Sequence, residues 1–565
     1  MKNLLVSIFI FSTVGIIFTA CSDQLTKAPL DSPSSATFYS NAIELDLALN
    51  GIYRELWWQT RRIPFLFELD QTTDIGFLRD GNYKPIAQGE HDSDLWVFSV
   101  EMWEKMYSGV AYSNDLLENM HRAQNLVSER YFQEVEGQTK YLRAFFYHYL
   151  TELFGDVPFY LATPSIEDAQ LPRTPKSEIV QQIYSDLDDA AQYLPETWSG
   201  SDQGRITRGA ALALKARVAL YNEDYEMAAQ AAQEVINSGV YELHEDYGEL
   251  FDYDGHGSPE IIMAVEHMDG ALTTAVPQRF GDRNVGSWAT QVPSQFLIDT
   301  YQMIDGKHVH ESDLYDPANP FANRDPRLDA TILRPQGEFS GFIFETHPDS
   351  TQTWRNVGGD WVRVTNQNVT NAFATFTGYN WRKYVPETDF PDRRTSSEVH
   401  QIYIRYAEVL LTYAEAKIES GNINQTVLNA LNEVRARAYG TDLSDTANYP
   451  AITTTNQDEL RRELRYERKV ELAMEGFRLF DIRRWRIAEH VMDGQLVGRP
   501  LRDYSDITEV PVINKDLGHH PEYGGTIDLY RTPEQRRFNP NRDYLFPIPL
   551  REFAVNENLT QNPGY

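Results

Sequence analysis

Three tryptophans lie in loops rich in Gly, Asn and other polar residues, with little apolar sequence around them: Trp288, Trp354 and Trp361. An indole in such a loop is expected to be exposed, and an exposed indole can stack on the apolar CH face of a sugar ring. Covering about 100 Å² of one ring would contribute roughly 2 kcal/mol, much of which ordering and desolvation offset. The three rings are therefore candidate contacts of a weakly bound ligand. Packing, or contact with another protein, is the alternative use of such rings.

The position of Cys21, the only cysteine among 565 residues, predicts that its thiol is covalently modified. It follows a cationic start, an apolar run from Leu4 to Phe18 and two small residues, which is the layout of an export signal. A cysteine directly after such a site resembles a bacterial lipobox, where the thiol is acylated and begins the mature chain. We therefore expect residues 1–20 to be a lipoprotein signal peptide and residues 21–35 to be a lipid-proximal tether. The alternative is a secreted protein with an unmodified cysteine.

The charge and the motif content argue against several classes of function. The formal net charge of −32 at pH 7 argues against nucleic acid, whose binding depends on Lys and Arg that neutralise phosphates. The chain contains no Gly-x-Ser-x-Gly elbow, no His-Glu-x-x-His zinc helix and no phosphate-binding glycine loop. Asp252 and Asp254 resemble a fragment of a calcium loop without its full ligand spacing, so a turn is the better interpretation. We expect no catalytic residues, no metal ligands and no cofactor.

Helical periodicity dominates the elements that must carry the candidate loops. Ile179, Ile183 and Leu187 fall on one stripe of a predicted helix. In about 177–239, and again in about 402–439, two amphipathic helices are joined by a short polar turn. Such pairs resemble tetratricopeptide repeats, which stack because one pair cannot bury its own apolar face. The sequence predicts a mainly α fold with a tetratricopeptide-like α-solenoid scaffold.

The segment from about 240 to 383 lacks a helical stripe and is rich in Gly, Pro, Asn, Asp and Thr. This composition predicts loops and short strands, and nothing in it has the composition of a linker. We expect an irregular layer packed on the helices, so that residues 36–565 form a single domain. Four tryptophans on helical patterns are expected in the core: Trp57, Trp58, Trp103 and Trp485.

Charged residues are dense among apolar positions near the C-terminus: Arg465, Glu467, Arg468, Glu471, Glu475, Arg478, Asp481 and Arg483. Such a density could form an anion site. A structural network is the better interpretation, because arginine forks can be answered by carboxylates three or four residues away on a helix.

Several segments resemble a known family: ERKVELAMEGFRLFDIRRW, RDPRLDATIL, DYLFPIPLREFAVNENLTQNPGY, and AFFYHYLTELFGDVPF with the later RITRGAALALKARVALYN. Together with the lipobox they resemble the SusD/RagB family over essentially the whole mature chain. The resemblance implies an outer-membrane lipoprotein, exposed at the cell surface of a Bacteroidetes bacterium. It also implies a tetratricopeptide scaffold with an irregular face that binds glycans or peptides.

The resemblance further implies where the ligand binds. The family's ligand face draws on the loop after the first helix and on loops in the middle of the chain, which in this sequence are about 70–100 and 240–383. These loops add five candidate glycan contacts to the three tryptophans: Asp74, Arg79, Tyr83, Trp96 and Arg279. The implied function is capture of an oligo- or polysaccharide, without catalysis, and its delivery to a SusC-like TonB-dependent transporter.

Two other functions stay open at this point. The same scaffold could bind a peptide or a protein, and a secreted glycoside hydrolase would need two carboxylates across a bond, which a sequence does not position. The charge of the glycan is also open. Neutral sugars need rings and amides, whereas uronates need a basic patch, for which four arginines are available: Arg79, Arg279, Arg283 and Arg355.

Overall fold

The computed structural model describes residues 38–163, 165 and 168–565. Cys21, the predicted signal peptide and the predicted tether lie outside the described residues. Nine helices of this part of the chain have 14 or more residues: α1 (Ala42–Glu55), α2 (Lys105–Asn119), α3 (Glu129–Phe154), α4 (Lys176–Tyr193), α5 (Arg208–Tyr221), α6 (Tyr225–Ser238), α7 (Tyr406–Glu419), α8 (Gln425–Ala438) and α9 (Gln457–Glu471). The prediction of a mainly α fold is confirmed.

The helices α2 to α8 stack in chain order, each packing against the next, and α1 packs on α2 and α3. The sequence of α5 shows why a helix can be covered on both sides. Its alanines keep it narrow, and only Arg208 and Lys215 are not buried. Thr207 caps α5 by accepting a hydrogen bond from the Ala210 N–H, and Asp224 caps α6 in the same way. These capped, antiparallel neighbours form the tetratricopeptide-like scaffold.

The chain leaves the stack at Gly239, a left-handed helix cap with φ +64°, and returns to it at α7. The residues between them form an irregular layer of loops, short helices and short strands. The strand Gln401–Arg405 pairs antiparallel with Ile261–Val265 and leads directly into α7. The strand Gly76–Leu78 pairs with Gln291–Pro293 and so joins the early loop to this layer.

Shorter helices and strands connect these elements and build most of the irregular layer. The short helices are Phe65–Gln71, Lys84–Gln88, Val276–Phe280, Gln295–Thr300, Arg327–Thr331, Gln367–Thr370, Arg478–Arg484 and Ala488–Val491, with a π-helix at Val97–Glu104. The remaining strands are Gln59–Thr60, Ile63–Pro64, Ile332–Leu333, Glu338–Phe339, Phe342–Ile343, Gln352–Val357, Asp360–Thr365, Asn380–Trp381, Gly494–Leu496, Val512–Asn514, His520–Glu522 and Glu534–Arg536. All named strand pairs are antiparallel. No helix in the described part of the chain is both long and apolar enough to cross a bilayer.

A buried charge network joins the irregular layer to the helices. Arg405 pairs with Glu471 of α9 and with Glu475, each at 2.7 Å, and Arg327 pairs with Glu467 of α9 at 2.8 Å. The prediction of a structural network near the C-terminus is confirmed by these contacts. In these contacts, however, the two partners lie 66 to 140 residues apart in sequence rather than three or four positions along one helix.

Two arginines of the predicted network lack a carboxylate partner among the described residues. The guanidinium of Arg465 lies 4.9 Å from the ring centroid of Trp485, and that of Arg483 lies 4.2 Å from that of Phe546. Stacking on an aromatic ring replaces the ion pair at both positions.

Candidate functional site

Arg79, Arg279 and Trp288 come together on the irregular layer. The short helix Val276–Phe280 carries Arg279, and the Trp288 N–H donates to the Gln278 carbonyl at 2.8 Å, which folds the loop back over that helix. The guanidinium carbon of Arg279 lies 4.8 Å from the Trp288 ring centroid. Arg79 follows the strand Gly76–Leu78 and donates to the Trp288 carbonyl at 3.1 Å. Trp288 is nevertheless 43% exposed.

A second ring and a third arginine complete this group. Arg79 donates to the Phe373 carbonyl, its guanidinium carbon lies 5.3 Å from the Phe373 ring centroid, and Phe373 is 61% exposed. Arg283 donates to Asn371 Oδ1 at 2.7 Å and to the Ser287 carbonyl at 3.3 Å. We call this group the Trp288 cluster; its members are Arg79, Arg279, Arg283, Trp288 and Phe373.

The other two candidate tryptophans lie on one β-hairpin, which we call the Trp hairpin (Gln352–Thr365). Its strands are joined by Gly358 and Gly359, whose φ angles of +66° and +98° suit glycine in a tight turn. Trp354 is opposite Arg363, and Trp361 is opposite Asn356.

Because side chains alternate along a strand, both tryptophans of the hairpin share one face with Asn356 and Arg363. Trp354 and Trp361 are 43% and 40% exposed. The guanidinium of Arg363 lies 5.0 Å from the Trp354 ring centroid. The face therefore offers two flat apolar rings beside an amide and a cation.

The Trp hairpin is joined to the loop that carries Arg283. The helix Gln367–Thr370 follows the hairpin directly, and the Gln367 N–H donates to Asn284 Oδ1 at 2.8 Å. The Arg283 N–H donates to Asn368 Oδ1 at 3.3 Å. The hairpin and the Trp288 cluster consequently lie on neighbouring elements of the same layer.

Two of the predicted ligand contacts are wrong because both side chains are buried. Asp74 is 1% exposed and pairs with Arg478 at 2.8 Å and Lys469 at 3.3 Å. Burial alone would raise the pKa of Asp74, but these two cations hold it well below its ordinary value. Tyr83 is equally buried and donates its hydroxyl to Glu101 at 2.8 Å. Neither side chain is accessible at the protein surface.

Trp96 is exposed, as the sequence indicated, but it lies beside a different part of the surface. Its neighbour Ser93 accepts a hydrogen bond from the Leu550 N–H, and Ser99 accepts one from Arg551. No hydrogen bond or ring contact between described residues joins Trp96 to the Trp288 cluster.

Only some of the tryptophans expected in the core are fully buried. Trp58 and Trp103 are buried, as is Trp381. Trp57 and Trp485 pack against the apolar clusters while staying partly accessible.

Sequence reasoning did not single out Phe373 and Arg363, which the structure places beside the candidate residues Arg79 and Trp354. The signal for Phe373 was available, since it lies among Asn, Ala and Thr without a helical stripe. Arg363 could have been found from the two glycines at 358–359, because a two-residue turn fixes which residues of a hairpin face each other.

Comparison with known proteins gives two profile matches. A profile described as the SusD family matches residues 259–565, more than half of the chain, and one described as "Starch-binding associating with outer membrane" matches residues 68–220. A SusD-like protein of Formosa agariphila is 26% identical, covering 98% of this chain and 99% of the relative. Starch-binding protein SusD of Bacteroides thetaiotaomicron is 23% identical over 76% of this chain and 72% of its own length.

Solved structures agree with these matches. A SusD-like carbohydrate binding protein from Bacteroides fragilis is 27% identical, with a TM-score of 0.80, covering 93% of this chain and all of that one. A second SusD-like protein from the same species is 25% identical, with a TM-score of 0.75, covering 95% of this chain and all of that one. With the sequence profile and the scaffold in agreement, the chain belongs to the SusD family.

Proposed function

We propose that the protein captures an oligo- or polysaccharide at the cell surface and delivers it, uncleaved, to a SusC-like TonB-dependent transporter of the outer membrane. The observation that carries this proposal is the exposure of Trp288, Trp354 and Trp361 on one irregular layer, outside the apolar core. Membership in the SusD family, and the names of relatives that bind carbohydrate or starch, support it.

The Trp hairpin has the geometry of a sugar platform. Diagonal side chains on one face of a hairpin lie about 7–8 Å apart, so that Trp354 and Trp361 can stack on nearby sugar units of one chain. The Asn356 amide and the Arg363 guanidinium can donate hydrogen bonds to hydroxyl groups at the edges of the rings. Each ring contributes roughly 2 kcal/mol before ordering is subtracted, and the resulting weak binding suits a protein that must release its cargo.

Trp354→Ala and Trp361→Ala should each weaken binding of the glycan that the native protein retains by about tenfold, or roughly 1.4 kcal/mol. Isothermal titration calorimetry, or retardation in an affinity gel, measures the loss. The thermal midpoint should not change, because both rings lie outside the core. Val362→Ala is the matched control, since Val362 is exposed on the opposite face of the same hairpin. Native affinity in both tryptophan variants would remove the hairpin from the ligand site.

Incubation of the pure protein with a panel of glycans and peptides separates this proposal from its alternatives. Retardation of the protein by a glycan, without shortened products, is the expected result. Shortened products would instead identify a glycoside hydrolase. Retention on peptides with no shift on any glycan would identify a peptide-binding lipoprotein.

The cellular part of the proposal depends on acylation of Cys21. A Cys21→Ser variant should leave the outer-membrane fraction for the soluble fraction, because each buried CH₂ of an acyl chain is worth roughly 0.8 kcal/mol of anchoring. Ser22→Ala is the control that keeps the thiol. Mass spectrometry of the native protein should find an acylated cysteine at the mature N-terminus. An unmodified N-terminus would contradict both the anchor and the delivery role.

A further inference from the structure

We propose that the Trp288 cluster binds an anionic substituent of the glycan, a carboxylate or a sulfate group, so that the ligand is an acidic polysaccharide. This inference rests on the proposed glycan capture and specifies its ligand class. The observation behind it is that three arginines lie together beside two exposed aromatic rings, and that few carboxylates nearby offset their positive charge.

Among the described residues, one carboxylate lies within ion-pair distance of the cluster, and it pairs with two of the three guanidinium groups. Arg79 and Arg279 each lie 3.6 Å from an oxygen of Asp80, which is itself about half exposed. Arg283 forms no ion pair with any described residue, and its donors reach only the neutral oxygens of Ser287 and Asn371. Three positive charges therefore face one negative charge.

This surplus is unusual in a chain with a net charge of −32. In the buried charge network, by contrast, Arg405 contacts three glutamates at 2.7 Å each. Burial lowers the pKa of Arg283, and the positive charge of Arg79 lowers it further. Like charges held this close repel one another, and a bound anion would remove that repulsion.

A buried carboxyl group behind the cluster does not cancel the surplus. Glu68 accepts a hydrogen bond from Gln291 at 2.9 Å and interacts electrostatically with Arg279. Burial raises the pKa of Glu68 to about 8, so the group is largely protonated at neutral pH. Glu68 therefore does little to offset the positive charge of the three arginines at neutral pH.

The arrangement of the rings fits a charged sugar better than a free ion. Arg279 stacks over one side of the Trp288 indole, so the exposed part of the ring is left for a sugar face. Guanidinium forks match the planar oxygens of a carboxylate and the tetrahedral oxygens of a sulfate. A sugar stacked on Trp288 would thereby bring its acidic substituent to Arg79 or Arg283.

The test compares acidic polysaccharides with their neutralised forms, using polygalacturonate against its methyl ester and a sulfated galactan against the desulfated polymer. The native protein should bind at least one acidic form about tenfold or more tightly than its neutral counterpart, and added salt should weaken that binding. The two pairs distinguish carboxylate from sulfate recognition.

Arg283→Gln should lower affinity for the acidic form about tenfold and leave binding of the neutral form unchanged. The substitution keeps a donor for the neutral oxygens that Arg283 contacts, and an unchanged melting temperature verifies the fold. Arg355→Gln is the control, because Arg355 is exposed on the other face of the Trp hairpin, stacked 5.1 Å from the Phe342 ring centroid. It should bind both forms like the native protein.

Three outcomes would overturn the inference. Equal affinity for acidic and neutral forms would refute it while leaving glycan capture intact. Equal losses in the Arg283 and Arg355 variants would show only a general effect of surface charge. Binding of polyglutamate with no binding of any glycan would refute both this inference and the proposed function.

Discussion

Arg405→Met should lower the free energy of unfolding by about 3–5 kcal/mol, because removing one member of a buried ion network leaves charges without compensation. Arg405 is 1% exposed and contacts Glu260, Glu471 and Glu475 at 2.7 Å each. In the variant, Lys383 and Arg437 between them still contact all three glutamates. Because these carboxylates keep a positive partner, we expect a loss of stability near the lower end of the range. Urea denaturation of the purified protein measures this loss.

Arg130→Met is the matched control for this experiment. Arg130 pairs with Glu134 one turn away on α3, and its side chain is mostly exposed. An exposed pair of this kind contributes less than about 1 kcal/mol. Similar losses in the two variants would contradict the view that the buried network holds the irregular layer on the helices.

Glu68→Gln should stabilise the protein increasingly as the pH rises from about 5 to about 8. Burial raises the pKa of Glu68 from 4.5 to about 8 in the folded protein. A carboxyl group whose pKa is higher in the folded than in the unfolded protein makes its full contribution to stability below its unfolded pKa. That contribution is lost as the pH rises toward the folded pKa. The native protein should therefore lose about 3 kcal/mol over this interval through Glu68 alone.

The uncharged amide of glutamine has no such loss and can still accept the hydrogen bond from Gln291. Denaturation curves of the native protein and the variant at several pH values measure the widening difference. Glu557→Gln, at an exposed position, is the control and should follow the native protein at every pH. A constant difference between Glu68→Gln and the native protein would show that Glu68 does not titrate in this interval.

The scaffold was predictable because its signals are local. Small residues along α5 and the polar turn before α6 specify two packed helices within 31 residues of sequence, from Arg208 to Ser238. The exposure of Trp354 and Trp361 was predictable for a similar reason, since a glycine turn among polar residues leaves little apolar sequence to cover them. Whether these rings contact ligand stays a prediction.

The errors concern residues whose environment is set by distant parts of the chain. Asp74 lies in a polar stretch that resembles a surface loop, and its burial depends on Arg478, 404 residues away. Tyr83 was wrongly predicted to be exposed for the same reason, because the composition of its loop does not show which distant residues pack against the loop. The partners of Glu467 and Glu471 were likewise set by tertiary contacts, although charge density alone indicated that a network forms.

The irregular layer enters and leaves the scaffold at adjacent points, because α6 and α7 pack against each other although some 170 residues separate them. A segment anchored in this way can lengthen, shorten or exchange its loops without shifting any helix relative to its neighbours. If the layer binds ligand as proposed, substitutions that change its specificity can therefore be confined to the layer, provided that anchoring charges such as Arg405 are kept. The architecture separates the evolution of specificity from the maintenance of the fold.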